Sequence, residues 1–173
     1  MKFIRTCLLV LLVASCAPIH VNYDYEKQTD FTKYKTYNYY SDIESGLSEF
    51  DTKRLLNALD EALSIKGLTF SDNPDFYIDI TSSEFQNAQR NSVGVGVGGS
   101  GRNVGGGISI GLPIGQPKLS RQIVFDFHDE NSIGLFWQAV SESGYNPNAT
   151  PEQKEARIKA IVDKVLKGYP PKN

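Results

Sequence analysis

The chain has 173 residues, of which 40% are hydrophobic and 22% charged, with a formal net charge of -2. This is the composition of one folded domain of ordinary size; it excludes a disordered chain and a nucleic-acid surface, which needs clustered Lys and Arg. The cysteines are Cys7 and Cys16, too few for a disulfide framework or a Cys-based zinc site.

The N-terminus carries the strongest local signal. Lys2 and Arg5 precede the apolar run Leu8 to Val13, followed by Ala14, Ser15 and Cys16. Charge, then an apolar stretch, then small residues is the order of a secretory leader, and the run is too short to span a bilayer. Val13, Ala14, Ser15 and Cys16 resemble the lipobox of bacterial lipoproteins. The resemblance implies a signal peptide over 1–15, diacylglycerol on the Cys16 thiol, cleavage before it, and a lipidated tether over 16–20. Two or three acyl chains hold a protein on a membrane without a transmembrane helix. Losing Lys2 and Arg5 from the 18 basic residues, with all 20 acidic ones kept, brings the mature charge near -4. That acidity argues against a second, electrostatic anchor on anionic lipid. Ala17 after the cysteine points to the outer membrane, on its periplasmic face.

Residues 21–171 read as a single domain. Val21 to Tyr25 alternate apolar and polar, and Tyr34 to Tyr40 is a β-prone aromatic run after a turn at Asp30 to Lys33. The two are expected to pair antiparallel, with Val21, Tyr23 and Tyr25 on one face. A helix is predicted over Glu49 to Lys66. Ser48 is its cap, Asp51 completes a box-like pair, Leu55, Leu56, Leu59, Ala62 and Leu63 form its apolar stripe, and Gly67 stops it. Asn73 and Pro74 turn the chain into a strand with Phe76, Ile78 and Ile80 on one face and Tyr77, Asp79 and Thr81 on the other.

Ten of the 15 glycines lie between Gly94 and Gly115. Val93, Val95 and Val97 alternate with glycine, Val104, Ile108 and Ile110 mark a second arm, and Gly99 to Asn103, with Arg102, form the turn. This reads as a β-hairpin with one aliphatic face and one of bare backbone. Arg121 to His128 is a further strand with Ile123, Phe125 and Phe127 inward, and Leu135 to Val140 another, holding Trp137. The last helix opens with Thr150 as cap, Pro151 at the first helical position and Gln153 completing the box. Ala156, Ile158, Ile161, Val162, Val165 and Leu166 give it apolar faces, and Gly168, Pro170 and Pro171 end it. The expected class is α+β: two main helices on an antiparallel sheet, plus the glycine-rich hairpin.

The pattern resembles the lipoprotein domain-of-unknown-function family numbered 4136. The resemblance rests on Tyr23, Asp24 and Tyr25, on Phe31, and on the run Tyr34, Lys35, Thr36, Tyr37. It extends to Lys66-Gly67, Pro74-Asp75, the glycine-rich hairpin, Asp126, Phe136-Trp137 and Tyr169-Pro170-Pro171. Tyr39 or Tyr40 stands where the family pattern leads one to expect a tryptophan. The resemblance implies a fold and an envelope address, and no activity.

Gly94, Gly96 and Gly99 match a nucleotide-binding spacing, but no helix follows, and no G-x-S-x-G elbow occurs. Asp126 and His128 lie two apart on one strand, hence on one face, where a carboxylate and an imidazole could bind metal or act as a base; polar residues on a solvated sheet face are the ordinary case. The aromatics Tyr34, Tyr37, Tyr39, Tyr40, Phe136 and Trp137 read as core or as a groove lining. Two functions stay open: a non-enzymatic binding or assembly module, or a metal-assisted hydrolase using Asp126 and His128. The module needs no cofactor and no resident metal. Its partners would be the membrane, through lipid on Cys16, and an envelope protein or glycan, with Val93, Val95, Val97, Arg102, Ile108 and Ile110 as a contact hairpin.

Overall fold

The computed structural model describes residues 18–41, 43–87, 92–94, 111–113, 118–132 and 134–172. Its strands are β1 (Ile19–Tyr25), β2 (Thr36–Tyr39), β3 (Thr69–Phe70), β4 (Phe76–Asn87), β5 (Ser92–Gly94), β6 (Gly111–Pro113), β7 (Lys118–Asp129) and β8 (Gly134–Gly144). The helices are α1 (Glu49–Ile65) and α2 (Pro151–Val165). Six strands form one sheet in the order β1-β8-β7-β4-β2-β3, and β5 and β6 pair separately. Among the described residues no helix is long and apolar enough to cross a membrane.

The sheet is mixed rather than antiparallel. β1, β4, β7 and β8 pair antiparallel, but β2 runs parallel to both β3 and β4. The reason is the helix between them. A chain that leaves β2, crosses through α1 and returns to the starting end must lay its next strand parallel. The expected pairing of residues 21–25 with 34–40 does not form, because β1 pairs with β8 at one edge of the sheet and β2 lies near the other. Near the start of β2 the chain crosses at Asp75, whose carboxylate accepts the N–H groups of Lys35 (2.7 Å) and Thr36 (2.9 Å).

Both helices pack on one face of the sheet. α1 buries Leu55, Leu59, Ala62 and Leu63, and α2 buries Ile158, Ile161, Val162 and Val165. They meet inward-facing Phe76, Ile78, Ile80, Ile123, Phe125 and Phe127, all essentially inaccessible. Each fully buried side chain of this size contributes about 1.5–3 kcal/mol. Ala156 is exposed and takes no part.

Phe136 and Trp137 are both buried, although neighbours on a regular strand face opposite ways. A bulge resolves this. Phe127 pairs with Trp137 and His128 with Leu135, so Phe136 is the extra residue and also turns inward. Phe136 then stacks on Tyr34 at 4.2 Å between ring centroids, and Trp137 lies 4.6 Å from Phe127. The Trp137 indole N–H donates to the Gly168 carbonyl at 3.2 Å.

The caps follow the sequence in one helix and depart from it in the other. Thr150 and Gln153 make a full reciprocal box at α2. At α1, Ser48 accepts from the Asp51 N–H, but the Asp51 carboxylate faces Arg54 (2.8 Å) and Arg121 (3.5 Å) instead of returning to the cap. Arg121 is 8% exposed, bonds Glu84 at 2.7 Å, and lies 3.6 Å from the centre of the Tyr145 ring. A buried guanidinium takes the carboxylate that an exposed cap would otherwise use.

Candidate functional site

Loop 43–47 joins β2 to α1 and bends back over β4 at Gly46. There φ is +69°, and a Cβ would stand 2.7 Å from the Ser82 carbonyl oxygen. Only glycine allows both the conformation and that approach. The loop is held to α1 by the Ser45 and Thr52 hydroxyls, 2.7 Å apart. Between this loop, the outer side of α1 and the β2-β3 edge runs an open groove of about 740 Å³. Tyr39, Ile43, Leu47, Leu56 and Phe70 supply apolar surface, and Glu44, Glu49 and Asp60 face one cation, Lys53. Phe70, on the two-residue edge strand, is 55% exposed.

Asp60 organises the wall. Its Oδ1 accepts the hydroxyls of Tyr37 and Tyr39, each at 2.7 Å. Burial, and then the ionised acceptor, push both phenols well above the usual tyrosine range, so they stay protonated donors at any physiological pH. The Tyr39 and Phe70 rings, 6.4 Å apart, form an aromatic ledge beside a carboxylate. Such a surface binds mixed apolar and cationic groups.

Asp126 and His128 do share the outward face of β7, both half-buried. Asp126 accepts from the Gln138 amide at 2.7 Å, and His128 sits at the edge of Tyr40, ring centroids 6.0 Å apart. Tyr40 also stacks on Tyr77 at 5.0 Å. Burial, then a hydrogen bond to Glu130, raise its hydroxyl to about 12. The other histidine, His20, lies opposite Glu142 on β1. Among the described residues no three His, Cys, Asp or Glu side chains gather as a metal site.

Of the six aromatics, Tyr34, Tyr37, Phe136 and Trp137 are core, Tyr39 lines the groove and Tyr40 covers the outer sheet face. Val93 lies in β5 opposite Leu112. Val95, Val97, Arg102, Ile108 and Ile110 fall outside the described residues, as does Cys16. Sequence reading missed Asp60 and Phe70. The available signal was Asp60 itself, an acid four residues after Leu56 on the flank of the apolar stripe.

The geometry defines a two-layer α+β domain with an open, aromatic-edged groove. The chain belongs to the family described as Domain of unknown function (DUF4136), whose model matches residues 21–171. A PDZ domain protein from Parabacteroides distasonis is similar in structure, with a TM-score of 0.58 and 14% identity over 97% of this chain. The chain spans 40% of that protein's length. A DUF4136 family protein from Bacteroides thetaiotaomicron aligns over 88% of this chain and 96% of its own, at 13% identity and a TM-score of 0.49. A PelC dodecamer from Paraburkholderia phytofirmans aligns over 86% and 95%, at 11% identity and a TM-score of 0.44. At 14% identity the likeness to the first of these is one of fold. No curated protein matches the sequence.

Proposed function

We propose that this protein is an envelope lipoprotein, anchored through Cys16, whose domain binds an extended protein segment carrying basic and apolar side chains. The observation that carries the binding role is the groove between α1 and the β2-β3 edge. Its volume of about 740 Å³ suits a short segment rather than a whole domain, and Tyr39 and Phe70 offer ring faces to an apolar or cationic side chain. Glu44, Glu49 and Asp60 outnumber Lys53, so the groove complements positive charge. The glycine-rich hairpin expected over 93–110 belongs to the same reading as a second contact, supported by the Val93-Leu112 pairing at its base.

Photocrosslinking in the native membrane tests the groove. A photoreactive phenylalanine analogue at position 70 should capture a discrete protein whose crosslinked peptide is rich in Lys or Arg. The same analogue at Leu135, exposed on the other side of the sheet, should not. Glu44→Lys with Glu49→Lys should reduce the capture about tenfold, the effect of roughly 1.4 kcal/mol. Capture that ignores the charge reversal, or labelling of glycan alone, contradicts the proposal.

A further inference from the structure

Resting on the groove reading, we propose that Asp60 is the seat for one arginine side chain of the bound segment, with the guanidinium laid against Phe70 and its N–H groups turned to the carboxylate. Asp60 is half-buried and lines the groove from the outer side of α1. Its Oδ1 accepts the Tyr37 and Tyr39 hydroxyls, each at 2.7 Å, and among the described residues its Oδ2 accepts no hydrogen bond. No ion pair among the described residues includes Asp60. Both phenols are protonated donors that carry no charge. They hold the carboxylate in place and leave its negative charge uncompensated. A half-buried acid in that condition gains from a cation brought in from outside. Lys53 is the cation that lines the same groove. It lies on α1 seven residues before Asp60, about 10 Å along the axis. Helical side chains lean towards the N-terminus, so Lys53 leans towards Glu49, the acid four residues before it.

The rings beside Asp60 decide between arginine and lysine. Tyr37 meets Tyr39 at 5.8 Å and Phe70 at 6.0 Å between centroids, edge to face in both cases. Tyr37 is 2% exposed and Phe70 55%, so the wall is fixed behind and open in front. A cation drawn to Asp60 gives up water on the ring side. An ammonium is a compact, strongly hydrated point charge, and the rings offer its N–H groups no acceptor in return. A guanidinium is planar and weakly hydrated. Its face covers a ring, its edge donates to a carboxylate, and its remaining N–H groups stay in the open groove. Glu44 and Glu49 are exposed. Exposed acids draw a basic segment in and are screened by salt, but they fix no particular side chain. Half-burial beside rings sets Asp60 apart from them.

The test uses the full chain matured in its membrane and the capture at position 70, where the photoreactive phenylalanine analogue keeps a ring. Acetylated tripeptide amides Leu-Arg-Leu, Leu-Lys-Leu and Leu-citrulline-Leu are added as competitors. Citrulline keeps the shape of arginine and lacks its charge. The arginine peptide should halve the capture at a concentration about tenfold or more below either of the others. Asp60→Asn keeps an acceptor for both phenols and so preserves the wall. In that variant the arginine and citrulline peptides should compete to within about twofold of each other. Three results overturn the proposal and leave the groove reading standing: lysine or citrulline matching arginine in the wild type, an arginine preference that survives Asp60→Asn, or capture that no peptide reduces. The wild-type series is read without the variant, so a variant that does not fold leaves that comparison in force. Absence of any capture at 70 removes the groove reading and this assignment with it.

Discussion

Asp129 shows how a single side chain ties distant parts of this sheet together. Only 5% exposed, it accepts from Lys33 (2.9 Å), the Tyr34 hydroxyl (3.0 Å) and the Asn131 N–H (3.1 Å). Burial alone would raise its carboxyl, but these donors outweigh burial and hold it below the ordinary 3.8. A carboxyl depressed in the folded state adds stability above the unfolded value, and loses it as pH falls through the folded one. Asp129→Asn should therefore cost about 1–3 kcal/mol at pH 7 in urea unfolding. The gap from wild type should close as pH drops below about 4. A gap unchanged at low pH would mean that the charge does not matter there. Nothing local in the sequence announces the partners of Asp129, 95 and 96 residues away. Asp126 and His128 were read correctly as neighbours on one face, since a strand's period of two fixes that much. What else shares the face depends on pairing that no local pattern encodes.

At the scale of elements, boundaries set by local chemistry were legible and partners were not. The α2 cap, the apolar stripes of both helices and the inward sets Phe76-Ile78-Ile80 and Ile123-Phe125-Phe127 follow from periodicity and capping alone. The parallel pairing of β2 was missed because it is decided by where α1 returns the chain. The burial of both Phe136 and Trp137 rests on a bulge that breaks the alternation of a regular strand, and no local pattern announces that bulge. The groove, likewise, exists because loop 43–47 closes on β4, and Gly46 shows how tightly. Gly67, just past α1, has φ +82° with open space around it, whereas at Gly46 backbone stands in the way. Gly67→Ala should cost about 1–2 kcal/mol, the price of a left-handed conformation with a Cβ. Gly46→Ala should cost about 1–3 kcal/mol more, from overpacking against Ser82, and should loosen the groove. Thermal unfolding of the two variants compares them directly. Equal losses would show that the loop is free to move off β4.

For the whole molecule, the proposed anchor and the proposed groove make one joint claim. With lipid on Cys16, the first strand would start three residues from the membrane, and the groove would be held close to it. Tethering of this kind raises the effective concentration of a membrane-bound partner without any new contact. A lipobox pattern is legible in one short stretch because it is a local signal. The partner was not, because groove residues come from β2, loop 43–47, α1 and β3 and converge only in the fold. The most direct test of the account is incorporation of labelled palmitate, followed by membrane fractionation, in wild type and Cys16→Ser. The account predicts labelled, membrane-bound wild type, and a variant that takes up no label and stays uncleaved or soluble. Equal labelling of both, or a wild type that matures without lipid and leaves the membrane, would contradict it.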